Sequence, residues 1–198
     1  MSREGGGSGT VDGDETIDDD GTTDDDGSTD DDGTTNGSRT ADDETRRTRT
    51  ERFLVDVMCG TLATYLRFCG YDAAYALDRG VEDDDRIASI AAAEDRTLLT
   101  RDRELAERVD GALLLESRDP ADQLAELADA GVAIEIAETP RRCGRCNGRL
   151  DRVSDTPNRP AYVPSEGSVW RCRDCGQWFW KGSHWRDVRA RIGAARST

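Results

Sequence analysis

Thr97-Leu98-Leu99-Thr100-Arg101-Asp102-Arg103-Glu104-Leu105 carries the fold in nine residues. Two leucines between β-compatible threonines form a short apolar run, too short for a helix and suited to a strand buried on both faces. Asp102 then stands where a helix N-cap belongs, and a helix is expected over about 103–109. The same grammar repeats outward. Phe53-Leu54-Val55-Asp56-Val57 reads as a strand ending at an acid. Residues 61–69 place Leu62, Tyr65, Leu66 and Cys69 at helical spacing before Gly70. Residues 71–77 read as a strand, and 83–94 as a helix with acids in its first turn and Ile87, Ile90 and Ala91 on one face. Residues 112–115 read as a further strand, Asp119-Pro120 opens a helix that ends at Gly131, and 132–136 reads as a last strand. Strands alternating with helices predict an α/β domain with a parallel sheet over residues 51–140.

What flanks this block differs in composition. Residues 1–50 hold 16 acids against 5 arginines and repeat Asp-Asp-Asp-Gly-Thr/Ser-Thr three times from Asp18. With almost no apolar side chains to bury, such a stretch is expected to be a disordered acidic tail. A calcium loop is the alternative reading, but the repeat lacks the position-12 glutamate of an EF-hand. Residues 51–142 carry a net charge of -10, whereas 143–198 carry +6 within a chain of net -15. Lys181 is the single lysine; the other 26 basic residues are arginine. An acidic, lysine-poor composition suits a high-salt cytoplasm, and a GC-rich genome explains the arginine bias equally well. No apolar run reaches the roughly 18 to 20 residues of a membrane span. Residues 1–10 lack the apolar core of a secretory signal, so a cytoplasmic location is expected.

Residues 141–198 read as a second, small domain closed by a short helix near 183–192. Cys143-Gly144-Arg145-Cys146 and Cys172-Arg173-Asp174-Cys175 form two C-x-x-C pairs 25 residues apart, the spacing of a Cys₄ zinc ribbon. Four thiolates close a tetrahedron and leave no open position, so the zinc is expected to be structural. Gly144 and Gly176 are expected to supply turn flexibility. Trp170, Trp178, Phe179, Trp180 and Trp185 interleave with Arg171, Arg173, Lys181 and Arg186. That mixture suits single-stranded nucleic acid through phosphate pairing and base stacking, or the aromatics are simply the core of the small domain.

In the α/β domain, Asp56 ends one strand, Asp84 and Asp85 open a helix, and Asp102 follows another strand. In a parallel sheet these positions share the carboxyl edge, where open α/β sheets place ligands. Carboxylates gathered there would hold Mg²⁺ or Mn²⁺ and support phosphodiester hydrolysis, or they are helix caps, as Asp84 and Asp119 could be.

Taken together, several stretches resemble the Mut-seven C-terminal RNase family, a PIN-like nuclease domain fused to a zinc ribbon. They are Phe53-Leu54-Val55-Asp56, Leu66-Arg67-Phe68-Cys69-Gly70-Tyr71-Asp72, Asp84-Asp85-Arg86-Ile87, the Leu98–Leu105 segment, Gln123-Leu124, Arg142–Gly148 and Phe179-Trp180-Lys181-Gly182-Ser183-His184-Trp185. The resemblance covers about residues 52–190. It implies a PIN-like α/β/α sandwich and a metal-dependent ribonuclease with catalytic acids at Asp56, Asp84 and Asp102, Asp85 and Asp119 being additional candidates. Arg101 would orient a phosphate or pair with a carboxylate. Lys181, Trp180 and His184 are candidate RNA contacts, His184 alternatively packing beside Trp185. Cys59 and Cys69 are expected to be buried hydrophobes. The rival reading is a non-catalytic PIN-like and zinc-ribbon module that docks RNA or a protein. A fourth carboxylate reaching the acidic edge, from Asp85, Asp119 or Asp122, would discriminate the two. A toxin-like nuclease awaiting an inhibitor is a third reading.

Overall fold

The computed structural model describes residues 52–154 and 159–195; the expected disordered tail lies outside them. Four parallel strands, β1 (Arg52–Val55), β2 (Asp72–Tyr75), β3 (Thr97–Thr100) and β4 (Leu113–Leu114), form one sheet in the order β2-β1-β3-β4. Phe53 pairs with Ala73 on one side and Thr97 on the other, and Leu99 pairs with Leu113.

Alternation along the strands sorts the core into two layers. Phe53, Val55, Ala73 and Leu99 face one side, where they meet Leu62 and Leu66 of α1 (Gly60–Phe68) and Leu124 and Leu127 of α4 (Pro120–Asp129). Leu54, Ala74 and Leu98 face the other, against Ile87 and Ala91 of α2 (Asp84–Ala93) and Leu105 of α3 (Arg103–Arg108). Period-two burial on both faces explains why these strands read as unbroken apolar runs. Single 3₁₀ turns follow β1 and β2, at Val57–Cys59 and Leu77–Arg79.

The remaining strands, β5 (Leu150–Val153), β6 (Val169–Cys172) and β7 (Trp178–Trp180), make an antiparallel sheet over a small core of Val163, Val169 and Trp178. The closing helix α5 (Ser183–Ala195) does not stay with them. Its Trp185, Val188, Ile192 and Ala195 join the α1–α4 side of the larger core.

Two sequence expectations change. The segment 132–136 is no strand. Val132 and Ile134 are buried in the α1–α4 layer, while the Ala137 N–H bonds to the Phe68 carbonyl and Tyr71 Oη donates to the Ala133 carbonyl. Its alternation therefore seals the core beside α1 instead of extending the sheet. The cap of α2 is Asp83, whose carboxylate accepts from Arg86 N, and not Asp84.

The cysteine region is bonded directly to the outer edge of β2. Asn147 Oδ1 accepts from Ala73 N at 3.1 Å, and Arg67 Nε donates to Ala73 O at 2.9 Å. Asn147 Nδ2 donates to Asp72 Oδ1 at 2.7 Å, and Arg142 pairs with Asp72 Oδ2 at 3.1 Å. Arg67, almost fully buried, also donates to the carbonyls of Gly144 and Arg145. An edge strand with open backbone groups invites foreign pairing; here side chains on both sides of the junction close it.

Candidate metal centre and acidic sheet edge

The Sγ atoms of Cys143, Cys146, Cys172 and Cys175 all lie within 4.8 Å of one another. Cys143 and Cys175 approach to 3.6 Å and Cys146 and Cys172 to 3.5 Å, with all four thiols free. A tetrahedron with zinc–sulfur bonds of about 2.3 Å has edges of about 3.8 Å, so the cluster fits such an ion with little movement. The two turns are built alike. Asn147 N bonds to Cys143 O and Gly176 N to Cys172 O, and both closing residues are left-handed, at φ 66° and 71°. Glycine and asparagine are the residues that accept this conformation. Gly144 differs from expectation: its φ is not positive, and it is held small because a Cβ there would meet Phe68 at 3.2 Å. At Gly148 a Cβ would lie 2.7 Å from Cys172 Sγ. These four residues could hold a metal such as zinc.

The second candidate site follows from strand order. In β2-β1-β3-β4 the chain leaves β1 for one neighbour and returns on its other side, so the crevice opens at the carboxyl ends of β1 and β3. Asp56 follows β1 and is 2% exposed. Its Oδ1 accepts from Val57 N at 2.6 Å, capping the 3₁₀ turn, and its Oδ2 accepts from Thr100 Oγ1 at 2.7 Å. Thr100, the last residue of β3, also accepts from Asp102 N at 3.0 Å. Asp102 Oδ1 caps α3 through Leu105 N at 2.9 Å. One buried hydroxyl thus links the Asp56 carboxylate to the Asp102 backbone N–H. Thr100 was not among the sequence candidates. Its signal was a threonine at the buried end of a strand, two residues before an acid, where a hydroxyl bonds local backbone.

Around this pair, Arg101 is half-buried and its Nε, itself buried, has no hydrogen-bond partner among the described residues. Gln123, 1% exposed, donates to Ser117 O at 2.9 Å and to Cys59 Sγ at 3.8 Å, and its Oε1 has no partner among the described residues. A polar residue on the apolar face of α4, beside Leu124 and Leu127, was the signal for it. Burial, reinforced by the Asp56 carboxylate, pushes the Cys59 thiol up to about 11, and burial raises Cys69 to about 12. Both therefore stay protonated at neutral pH.

The other acids take different positions. Asp84 is exposed in the first turn of α2. Asp85, also exposed, pairs with Arg108 of α3. Asp119 Oδ1 caps α4 through Ala121 N, and Asp122 is exposed. Among the described residues, the four cysteines form the one group of three or more Cys, His, Asp or Glu side chains close enough to share an ion. His184 is exposed with its ring edge-on to Phe68 at 5.9 Å. Lys181 is exposed and Trp180 half-buried, whereas Trp170, Trp178 and Trp185 are buried. Trp178 and Trp185 therefore serve packing and not the base stacking that the aromatic run suggested. No helix among the described residues is long and apolar enough to cross a membrane.

A family model described as the Mut7-C RNAse domain matches residues 51–192. No curated protein and no solved structure gives a significant match. Because that match spans the parallel sheet, both cysteine pairs and most of α5, the chain belongs to the Mut7-C RNAse domain family.

Proposed function

We propose that the chain is a cytoplasmic, metal-dependent ribonuclease that hydrolyses RNA phosphodiester bonds at the carboxyl edge of a PIN-like sheet. The coupling of Asp56 and Asp102 through Thr100 at the switch point between β1 and β3, in an RNAse-domain family, carries this reading. Asp56 and Asp102 are the pair that would hold Mg²⁺ or Mn²⁺, since the three acids of the sequence reading, Asp84 included, do not lie close enough together to share one ion, and the four cysteines would hold a structural zinc. The donor set suits a small hard cation, because Mg²⁺ is commonly bound through one or two carboxylates with water and phosphate completing its shell. When bound, such an ion supplies Lewis acidity and a nucleophilic water at neutral pH.

The chain's own residues then do the positioning. Thr100 fixes the Asp56 carboxylate, and the α3 cap fixes Asp102, so both acids are oriented before substrate arrives. Arg101, half-buried beside the pair, would orient a phosphate oxygen. Lys181, Trp180 and His184 would contact the RNA chain.

A second reading, a non-catalytic RNA- or protein-docking module, draws on the engagement of Asp85 with Arg108 and of Asp119 with its helix cap. Those interactions occupy two of the acids that could complete the edge. Titration of Mn²⁺ into the zinc-loaded protein, followed by incubation with labelled single-stranded RNA, separates the two. The ribonuclease reading expects Mn²⁺ binding that weakens in Asp56→Asn and cleavage that needs the ion. RNA binding without cleavage, with or without Mn²⁺, would establish the docking module.

A further inference from the structure

Strand alternation gives the small antiparallel sheet two different faces. Val153, Val169, Trp178 and Trp180 point to its own core with Val163. Arg152 stands opposite Trp170, and Trp170 opposite Phe179, in a row on the other face. On that side a cavity of about 340 Å³ is lined by Arg152 and Trp170 from the sheet, by Ser168 and Lys181 that flank its strands, and by Glu138 and Thr139 from the segment that precedes the cysteines.

We propose that this cavity is a subsite for one nucleotide of a single-stranded RNA chain. The proposal rests on the ribonuclease reading and names where that enzyme would grip its substrate away from the acidic edge. Charge is the first argument. In a chain of net charge -15, most arginines of the α/β sheet and its helices are tied to carboxylates, among them Arg67, Arg79, Arg96 and Arg108. Among the described residues, neither Arg152 nor Lys181 enters an ion pair. The Arg152 guanidinium is instead steadied by Ser168 Oγ at 3.0 Å, which leaves its remaining donors for an anion. Shape and chemistry point the same way as charge. The volume is at the small end of ligand pockets, the size of one nucleotide and too little for two. Trp170, 5% exposed, backs the cavity as a rigid wall and, like the other buried tryptophans, does not stack on a base. Glu138, the one carboxylate in the lining, only accepts hydrogen bonds when ionised, and so suits an exocyclic amine or the 2′-hydroxyl that distinguishes RNA.

The test is fluorescence anisotropy with a labelled 12-nucleotide single-stranded RNA and full-length, zinc-loaded protein, without added Mg²⁺ or Mn²⁺, across a KCl series. Both target side chains are exposed, so the double variant Arg152→Ala/Lys181→Ala is expected to melt as the wild type does. Its Kd should rise at least tenfold at 0.1 M KCl. The slope of log affinity against log salt should fall by about 1.4, the value for two lost phosphate contacts on a single strand. Arg145→Ala/Arg189→Ala, which removes two exposed charges outside the cavity, should stay within twofold. Wild-type affinity in the cavity variant, while the wild type still cleaves RNA, would overturn the subsite and leave the ribonuclease reading standing. An equal loss in the Arg145/Arg189 variant would overturn it in favour of diffuse surface charge. Adenosine 5′-monophosphate binding as tightly as the 12-mer would overturn the assignment to an RNA chain. A wild type that neither binds nor cleaves RNA would remove both proposals.

Discussion

Asn147→Gly removes the side chain that joins the first cysteine turn to the edge of β2. Two hydrogen bonds go with it, one from the buried Ala73 N–H and one to the Asp72 carboxylate. An unpaired buried amide costs about 1–3 kcal/mol, and a bond to a charged acceptor contributes about 1.5 kcal/mol or more. Asp72 keeps Arg96 and Arg142, so the lower end applies to the second term. Asn147 sits at φ 66°, which glycine adopts freely, so the substitution adds no backbone strain. The expected loss is about 3 kcal/mol, or about 10 °C in melting midpoint for a fold of this size. Asn147→Ala should melt lower still, by about 1 kcal/mol more, because alanine resists the left-handed conformation. Circular dichroism melts of the zinc-loaded full chain at pH 7.5 measure both. Arg173→Ala is the control: its pair with Asp151 is exposed and the midpoint should not move. A glycine variant that melts with the wild type would refute the account of Asn147 as the guard of β2.

Acid should weaken the same junction. Burial works to raise the Asp72 carboxyl, but hydrogen bonds from Arg96 and Asn147 and the charges of Arg96 and Arg142 hold it below its ordinary 3.8. Glu94 is held at about 2, chiefly by its hydrogen bond from Arg79. Both groups titrate lower in the folded than in the unfolded chain, so their stabilisation is complete above the unfolded values near 4 and is lost as pH falls toward about 2. Denaturant midpoints should therefore fall through that window, and less steeply in Asp72→Asn; equal acid sensitivity in the two proteins would count against it. Cys59 and Cys69, raised to about 11 and 12, should resist a thiol reagent at pH 8 until the chain unfolds. Fast labelling of Cys59 in the folded, zinc-loaded protein would show that it is not buried as described, and fast labelling of the half-buried Cys69 that its thiol is not held protonated. Gly148→Ala should weaken zinc binding, because the new Cβ would lie 2.7 Å from Cys172 Sγ; chelator competition giving wild-type affinity would contradict this.

Where local physics dominates, the chain is easy to read. The strand 97–100, the Asp102 and Asp119 caps, and the paired cysteines all appear where propensity and spacing put them. What escaped was decided by packing at long range. Residues 132–136 have strand alternation, yet the Ala133 carbonyl accepts from Tyr71 Oη, the Val132 N–H bonds to the Leu127 carbonyl, and the segment joins neither sheet. The α5 helix follows the ribbon in sequence but buries Trp185, Val188 and Ile192 against α1 and α4, which its own pattern could not reveal. Asp83, Asp84 and Asp85 are chemically alike, and only the backbone turn selects Asp83 as the cap. The coupling through Thr100 depends on β1 and β3 being neighbours, a fact of topology and not of either segment alone.

The assignment of hydrolysis to the Asp56–Thr100–Asp102 edge rests on that juxtaposition. It is tested most directly by single-turnover cleavage of labelled RNA with Mn²⁺, comparing the wild type with Asp102→Asn. Asparagine caps a helix about as well as aspartate, so the variant removes a charge and keeps the fold, which its melting midpoint will verify. The account predicts ion-dependent cleavage by the wild type and a loss of at least a hundredfold, about 2.7 kcal/mol of transition-state stabilisation, in the variant. Equal cleavage by the two folded proteins would contradict it.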